Sequence, residues 1–483
     1  MILRLQCRLI RTLPLLPLLV ACGSEADRPP DVLIISLDTL RADHLSCYGY
    51  GKPTTPRLDQ LADGATLYTR CMATAPWTVP SHASIMTGRF PSEHGAISSE
   101  MKPAAGQYST NVDNAQPLGP ENLTLAEVLR DDGYATAAFV ANTTYLQPHM
   151  GLAQGFDSWV IADPWLRRDV SPAWSPELTD RTIRWLRRHV EEGAGQPFLL
   201  FLNYFDTHRP YNVSPESAHR SFEALEALYT RVMIDGQPAG ESAEVVIDHF
   251  DRALTHLDRS LGEVFDTLKE LELFDGMLIV ITSDHGEFFG EHGLVEHSKD
   301  VYQETLHVPL IIKQPGQTEA RVDEQLVSLV DIARVVLDAI PGTLGERYAR
   351  TFPYEIGSHP IWAENHFSRP RDLMNPVVGP RFQRRRFALY EDSLKFIYSS
   401  DGEHELYDLA VDPRETQDLV EERPNRVRAL SVRAEKLLVR AKKISADAKL
   451  RELSPEEAAD MRSMGYGGSD EDGEDGEGGS GGH

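Results

Sequence analysis

The chain has 483 residues, of which 41% are hydrophobic, and a formal net charge of −26 at pH 7. This length is enough for one large hydrophobic core and a smaller second one. The strong negative charge argues against general binding to a phosphate backbone, so we expect no nucleic-acid partner. An anionic substrate would need a locally positive site in so acidic a chain, and a metal ion supplies that charge most directly.

The N-terminal segment has the pattern of an export signal. A basic stretch at 4–11 precedes an apolar run that is too short to span a bilayer, and the run ends in the sequence LVAC at Cys22. This ending resembles the cleavage site of bacterial lipoproteins. We predict a signal peptide at 1–21 and a tether at 22–30. A lipidated Cys22 would hold the protein on the membrane of the bacterial cell envelope, on the periplasmic or outer-surface side. A plain secretory signal with an incidental cysteine is the alternative.

Two further cysteines, Cys47 and Cys71, belong to the predicted mature chain. An exported protein can form disulfides, but the sequence does not show that these two cysteines meet. No Cys/His spacing typical of a structural zinc site occurs.

Short apolar runs alternate with helix patterns along the chain. Strands that are buried on both faces of a parallel sheet are typically continuous apolar runs rich in β-branched residues. Such runs predict strands at 32–36, 135–140, 198–204, 277–282 and 308–312. Apolar periodicity and capping signals predict helices at 54–64, 124–133, 175–188, 247–268, 331–339 and 424–450.

A further short helix is predicted around a hydroxyl residue, Thr78. Pro80 can open a helix, because its missing N–H would be unpaired in the first turn. We predict this helix from about Pro80 to Thr87, with Gly88 as its C-terminal stop. Thr78 would then lie at the positive end of the helix, where an anionic substrate or an ionised hydroxyl is favoured. The alternative is that Thr78 only caps an ordinary helix.

Carboxylate and imidazole side chains follow two of the predicted strands. Asp38 follows the first strand, and Asp284 and His285 follow the strand at 277–282. In open α/β sheets, ligands bind at the edge where the carboxyl ends of the strands meet. Carboxylate oxygens suit a divalent cation, and Gly286 would permit the sharp bend that turns both neighbours toward one ion. The alternative for Asp38 is that it caps the next turn.

Three ordered motifs resemble those of sulfatases. They are VLIISLDTLRADHL at 32–45, WTVPSHASIMTG at 77–88 and ITSDHGE at 281–287. On these motifs the chain is identified as a member of the sulfatase family, in the alkaline phosphatase superfamily. The resemblance implies an α/β fold with a mixed, mostly parallel central sheet flanked by helices, and a smaller C-terminal antiparallel sheet subdomain.

The resemblance also divides the chain into regions. It implies a catalytic domain at 31–350 and a C-terminal subdomain with its helix at 351–450. The segment at 451–483 ends in a run of Gly, Asp and Glu that is almost free of apolar side chains, so we predict a disordered tail.

The family pattern implies one divalent cation, held by Asp38, Thr78, Asp284 and His285. Typical sulfatases hold Ca²⁺, and a histidine ligand makes Mn²⁺ and Zn²⁺ plausible as well. The substrate would be an anionic ester. The pattern also implies four basic residues that would neutralise the oxyanion or protonate the leaving group: His82, His208, His297 and Lys299. With Thr78 as nucleophile, these are the predicted catalytic residues.

The sequence departs from the family pattern at four positions. Thr78 stands where sulfatases carry the Cys or Ser that becomes formylglycine, and threonine cannot give that aldehyde because its β-carbon carries a methyl group. Asp38 is followed by Thr39 where a second Asp is usual, and Asn142 stands where many sulfatases have a basic residue. His82 replaces the usual Arg of the motif, so its contact would be pH-dependent.

These observations predict a metal-dependent hydrolase of sulfate or phosphate esters, in which Thr78 attacks sulfur or phosphorus. A transferase of the phosphoglycerol or phosphoethanolamine type is one alternative. A non-catalytic, lipid-tethered binding protein on a degenerate sulfatase scaffold is another, because fold does not guarantee activity. The sequence does not indicate an oligomeric state.

Overall fold

The computed structural model describes residues 28–99, 115–162, 174–193, 195–211, 213–340, 348 and 351–449. The predicted signal peptide, Cys22 and the acidic tail at 451–483 lie outside these ranges and stay predictions. None of the helices within these ranges combines the length and the apolar character that a membrane span requires.

An eight-stranded sheet forms the centre of the described structure, in the order β10-β2-β9-β6-β1-β5-β3-β4. Strand β9 is antiparallel to both of its neighbours, and every other pairing in the sheet is parallel. The strands of this sheet are β1 Val32–Leu37, β2 Thr66–Met72, β3 Ala135–Val140, β4 Ser158–Ile161, β5 Phe198–Tyr204, β6 Leu278–Thr282, β9 His307–Lys313 and β10 Arg321–Ser328.

The remaining described strands form two smaller sheets. A two-stranded sheet pairs β7 Phe288–Phe289 with β8 Val295–Glu296, and a four-stranded antiparallel sheet has the order β11-β12-β13-β14. Its strands are β11 Ile361–Asn365, β12 Arg386–Glu391, β13 Leu394–Ser399 and β14 Glu405–Asp408.

Helices flank these sheets. The described α-helices are α1 Pro56–Ala62, α2 Thr78–Thr87, α3 Pro91–His94, α4 Leu125–Asp131, α5 Trp174–Glu192, α6 Pro215–Tyr229, α7 Glu241–Glu270, α8 Gln303–Leu306, α9 Asp331–Ala339, α10 Pro370–Leu373, α11 Gly379–Phe382 and α12 Pro424–Lys449. Short 3₁₀ turns lie at Ala42–His44, Ser46–Tyr48, Pro148–Met150 and Glu291–Gly293, and a π-helical turn lies at Thr230–Ile234.

The predicted fold class is confirmed. The central strands β1, β5 and β6 are buried along their whole length, as their continuous apolar sequences require. Helix α7 buries one apolar face that includes Leu254, Leu257 and Leu261. The small sheet has its own core, in which Trp362 and Phe387 join Leu430 of α12. Burying each such side chain contributes roughly 1.5–3 kcal/mol.

Cys47 and Cys71, whose pairing the sequence left open, do not form a disulfide. Cys47 is half-buried and Cys71 is buried in the central core, and both are free thiols. The alternative that the sequence left open, two unpaired cysteines, is therefore the one that the structure shows.

The topology gathers four strand ends at one edge of the central sheet. Strands β1, β5 and β6 are in register, with Leu37 opposite Tyr204 and Ser36 opposite Thr282. Because β3 runs in the same direction, the residues that follow all four strands emerge side by side. This edge carries the candidate site.

Candidate active site

Three predicted metal ligands meet at the sheet edge. The carboxylates of Asp38 and Asp284 and the ring of His285 each offer one ligand atom, and these atoms lie within 4.8 Å of one another. All three residues are fully buried. A cluster of this kind, with two carboxylates and one imidazole, has the donor set of a divalent cation site.

The unpaired atoms of this cluster fit a cation. Within the described residues, Asp38 Oδ1 and Asp284 Oδ2 are buried without a hydrogen-bond partner. The Nδ1–H of His285 donates to the carbonyl of Gly286 at 2.9 Å, so Nε2 keeps its lone pair. A hydrogen bond from the nitrogen that does not bind the metal is the usual way in which a protein orients a metal-binding histidine.

Burial also raises the pKa values of the two carboxylates in the cluster. It raises the pKa of Asp284 to about 7. The pKa of Asp38 lies well above its ordinary value because of burial and because Asp284 is close. Two buried carboxylates this close cannot both ionise cheaply without a positive partner, and a divalent cation would supply one.

Two of the departures from the family pattern support this cluster. Asn142 Nδ2 donates to Asp38 Oδ2 at 3.0 Å. Thr39 has a left-handed backbone, with φ of 59°, which is strained for a β-branched residue. Its N–H donates to Asp284 Oδ1 at 3.2 Å, and its hydroxyl donates to the carbonyl of Thr207 at 2.6 Å. Both residues therefore position the carboxylates.

The bend after Asp284 has a different cause from the one that we expected. Gly286 does not adopt a left-handed conformation. A Cβ at this position would instead overlap the carbonyl oxygen of Glu304. Glycine is required here because the backbone of Glu304 approaches Gly286 closely, and not because Gly286 needs an unusual backbone conformation.

Thr78 is the first residue of α2, not the residue before it. The prediction that the helix begins at Pro80 is wrong by two residues, and Trp77 is its N-cap. Pro80 is tolerated because the N–H groups of the whole first turn have no intrahelical acceptor. The hydroxyl of Thr78 does not cap the helix. It is buried and lies 3.5 Å from His285 Nε2, beside the metal-type cluster.

Three histidines surround the cluster, and each of them, like His285 within it, uses its Nδ1–H to donate to an oxygen. The pairs are His82 with the Thr78 carbonyl at 2.9 Å, His208 with the Arg209 carbonyl at 2.8 Å, His285 with the Gly286 carbonyl at 2.9 Å, and His297 with Glu287 Oε1 at 2.9 Å. The ring of His297 lies 4.6 Å from that of His285 and 5.0 Å from that of His208, between centroids.

His82 lies close to the cluster but is held neutral. Its Nδ1 is 3.4 Å from Asp284 Oδ2, and within the described part of the chain its Nε2 has no partner. Burial lowers the pKa of His82 to about 4. The expected pH-dependent contact is therefore not supported near neutral pH.

Lys299 is bound into an ion-pair network. Its Nζ lies 3.3 Å from Glu296 and 3.2 Å from Asp372, and its side chain is fully buried. Arg369 binds the same two carboxylates from the other side. Burial lowers the pKa of Lys299, whereas Asp372 favours its charged form. Arg209 also lies 2.9 Å from Glu296, so several cations share the two carboxylates, and the contact of Lys299 with an oxyanion stays a prediction.

The structure brings together most of the predicted site residues and adds others. Thr78, His82, His208 and His297 surround the predicted ligands, and Lys299 lies beside His297. The sequence reasoning did not assign roles to Asn142, Glu287, Arg369 or Asp372. Glu287 could have been noticed, because it belongs to the third motif, whereas nothing in the sequence around Arg369 connects it to this edge.

Comparison with known proteins places the chain in a family. The family model named Sulfatase matches residues 30–343, which is more than half of the chain. An ulvan-active sulfatase of Formosa agariphila is 25% identical over 343 residues, or 66% of this chain, and human arylsulfatase A is 25% identical over 361 residues, or 65% of this chain. These matches span 62% and 65% of the two relatives' own lengths.

The fold is shared with a solved structure of the phosphonate monoester hydrolase of Agrobacterium radiobacter. The TM-score is 0.62 at 22% identity, and the match covers 88% of this chain and 98% of that one. The family model, which matches more than half of the chain, shows that the chain belongs to the sulfatase family.

Proposed function

We propose that this protein is a metal-dependent hydrolase of sulfate or phosphate esters, with Thr78 as the attacking group. The observation that carries the proposal is the position of the Thr78 hydroxyl, 3.5 Å from His285 Nε2 at the edge of a buried Asp–Asp–His cluster. In that cluster, Asp38 Oδ1 and Asp284 Oδ2 have no hydrogen-bond partner among the described residues. The names of the relatives, a sulfatase acting on ulvan and an arylsulfatase, agree with an anionic ester as substrate.

Asp38, Asp284 and His285 would hold the cation, with the Thr78 hydroxyl, 3.5 Å from His285 Nε2, as a further ligand. A divalent ion bound there would lower the pKa of a hydroxyl and polarise a non-bridging oxygen of the ester. The donor set suits Ca²⁺, Mn²⁺ or Zn²⁺.

The chemistry of the chain's own groups follows from Thr78. Its Oγ1 forms a bond to phosphorus or sulfur while the bond from that atom to the departing ester oxygen breaks. The hydroxyl gives up its proton, and the departing oxygen gains one. Water then attacks the same atom and releases Thr78. The N-terminus of α2 adds unpaired backbone N–H groups that favour the anion. Transfer to an alcohol instead of water would produce a transferase with the same residues.

A substrate panel tests the proposal. Aryl sulfate, aryl phosphate, phosphodiester and phosphonate esters are offered to the purified chain after chelation and after addition of each metal. We expect metal-dependent release of the alcohol, faster from phosphoesters, because the hydrated aldehyde that helps to expel sulfate cannot form on threonine. Release of none of them with any metal would favour the non-catalytic binding protein, and a product carrying an added alcohol would favour the transferase.

We also propose that Cys22 carries lipid and tethers the enzyme to the cell envelope. The support is the LVAC sequence after a short apolar run. Cys22→Ser should release the protein from the membrane fraction or leave its precursor uncut, because lipid chains provide the anchor. Unchanged fractionation and processing of this variant would contradict the proposal.

A further inference from the structure

One of the four site histidines differs from the others in what holds it. The Nδ1–H groups of His82, His208 and His285 each donate to a backbone carbonyl. That of His297 donates to a carboxylate, Glu287 Oε1, at 2.9 Å. A carbonyl orients a ring, whereas a carboxylate also stabilises the positive charge that the ring acquires when it takes up a proton.

Glu287 is itself fixed in place. The residue is fully buried, and its second oxygen accepts a hydrogen bond from the hydroxyl of Tyr211 at 3.1 Å. Arg41 donates to the backbone carbonyl of Glu287 at 3.0 Å. A buried carboxylate with this many fixed contacts holds its partner in a single orientation.

The backbone around His297 is also constrained. Glu296 and Ser298, on either side of it, both have left-handed conformations, with φ of 67° and 66°. Neither residue is glycine, so both positions are strained and are maintained by the surrounding structure. Among the described residues, His297 Nε2 has no hydrogen-bond partner, and its ring lies between His208 and His285.

We propose that Glu287 is the positioning residue of His297: its hydrogen bond to Nδ1 fixes the ring beside His285 and leaves Nε2 as the nitrogen that contacts the ester. This inference rests on the proposed function. The predicted role of His297 at the oxyanion or the leaving group then falls to Nε2. The three histidines held by carbonyls serve as a ligand or as neutral contacts.

A double-mutant cycle tests whether Glu287 acts through His297. Glu287→Gln keeps the shape of the side chain and removes its charge, and we expect it to lower kcat by about 10- to 100-fold on an ester with a poor leaving group. The loss should be smaller on an aryl ester whose leaving group needs no proton. In a His297→Gln background, Glu287→Gln should cause no further loss, because the group through which it acts is absent.

The matched control is Asp331→Asn, which removes the charge from a buried carboxylate that binds His359 at 2.6 Å. This variant should retain the kcat of the parent and its dependence on the leaving group. An equal loss from Glu287→Gln in the parent and in the His297→Gln background would overturn the proposal, because it would mean that Glu287 acts through the fold in general.

A second measurement needs no substrate, so it separates this inference from the proposed function. In the protein labelled with ¹⁵N-histidine, a buried Nδ1–H bound to a carboxylate gives a protected, downfield proton signal. We expect such signals from His297 beside Glu287 and from His44 beside Asp251. The His297 signal should be absent in His297→Gln, shifted or lost in Glu287→Gln, and retained, like that of His44, in Asp331→Asn. If the parent turns over no ester, the proposed function fails, while the His297 signal still decides the inference. Its absence from the parent, or its persistence in Glu287→Gln, would overturn the inference.

Discussion

Two buried clusters in this molecule look alike as lists of residues but differ in charge balance. The first is the site cluster of Asp38, Asp284 and His285. The second consists of His292, Glu304 and Glu415, whose ligand atoms also lie within 4.8 Å of one another. In the second cluster, Lys395 Nζ lies 2.7 Å from Glu415 Oε1, and His292 Nε2 lies 3.3 Å from Glu304 Oε2.

The second cluster neutralises itself. Although burial alone would lower the pKa of His292, its contact with Glu304 raises it, so the ring is suited to carry a proton. With the ammonium of Lys395, the two carboxylates then have two cations. In the site cluster, no ion pair of the described residues joins Asp38 or Asp284 to a lysine or an arginine, and the basic groups that contact Asp284 are the rings of His82 and His285. The difference teaches that residue type and spacing alone do not distinguish these two clusters, and that the balance of buried charge does.

The largest expected effect is the loss of activity when Thr78, which lies beside the site cluster, is replaced. Thr78→Ala should lower turnover by at least about 10³-fold, because it removes the attacking atom, while the fold and the metal content stay largely intact. Thr78→Ser should retain part of the activity, since the hydroxyl survives and only the methyl that restricts its rotamer is lost. Thr87→Ala, which removes a hydroxyl at the other end of the same helix, is the control and should stay active. Near-normal turnover by Thr78→Ala would exclude this nucleophile.

Metal content should distinguish the clusters next. We expect one tightly bound divalent cation per chain by elemental analysis, lost from Asp284→Ala together with activity, because removal of a ligand weakens binding. Asp38→Ala and His285→Ala should behave in the same way. Glu304→Gln should keep the full metal content. Retention of metal by Asp284→Ala would show that the ligand set is wrong.

Stability should respond at the second cluster. Lys395→Met removes a cation and leaves Glu415 buried without compensation, which should cost about 3–5 kcal/mol in the free energy of unfolding. Adding Glu415→Gln to the same chain should restore much of that loss. Denaturant unfolding measures both changes. If Lys395→Met unfolds at the denaturant concentration of the parent, the second cluster does not depend on Lys395.

The smallest effect concerns Asp206, a buried carboxylate at the same sheet edge that belongs to neither cluster. Burial raises its pKa to about 7, above the ordinary value near 4. A raised pKa favours folding at low pH, and this contribution is lost as pH rises from about 4 to about 7, with an upper bound of about 4 kcal/mol. The stability of Asp206→Asn relative to the parent should therefore be greater at about pH 8 than at about pH 5, as measured by thermal unfolding. A gain that is the same at both pH values would contradict this assignment.

The sequence predicted the inner part of the central sheet better than its margin. Strands β3 and β5 have the predicted bounds, because they are continuous apolar runs buried on both sides. Strand β10 was not predicted, because its exposed residues outnumber its buried ones and it gives no such run. Strand β2 was missed for a related reason, since polar side chains interrupt its half-buried sequence.

In the site, too, some features could be predicted from the sequence and others could not. Asp38, Asp284 and His285 follow strand ends, so motif and topology together predict that they meet. The start of α2 was misplaced because proline suits any position of the first helical turn. The partners of Lys299 could not be predicted, because Asp372 lies 73 positions further along the chain and only the tertiary fold brings it close. Charge balance inside the protein is a property of such distant pairs.

The central claim is that the Thr78 hydroxyl attacks the ester directly, and mass spectrometry tests it most directly. The metal-loaded enzyme is mixed with a saturating phosphoester, quenched in acid during turnover and digested. We predict a phosphoryl group on Thr78 in the parent. A phosphoryl group on another residue of the active enzyme, with Thr78 unmodified, would contradict the account.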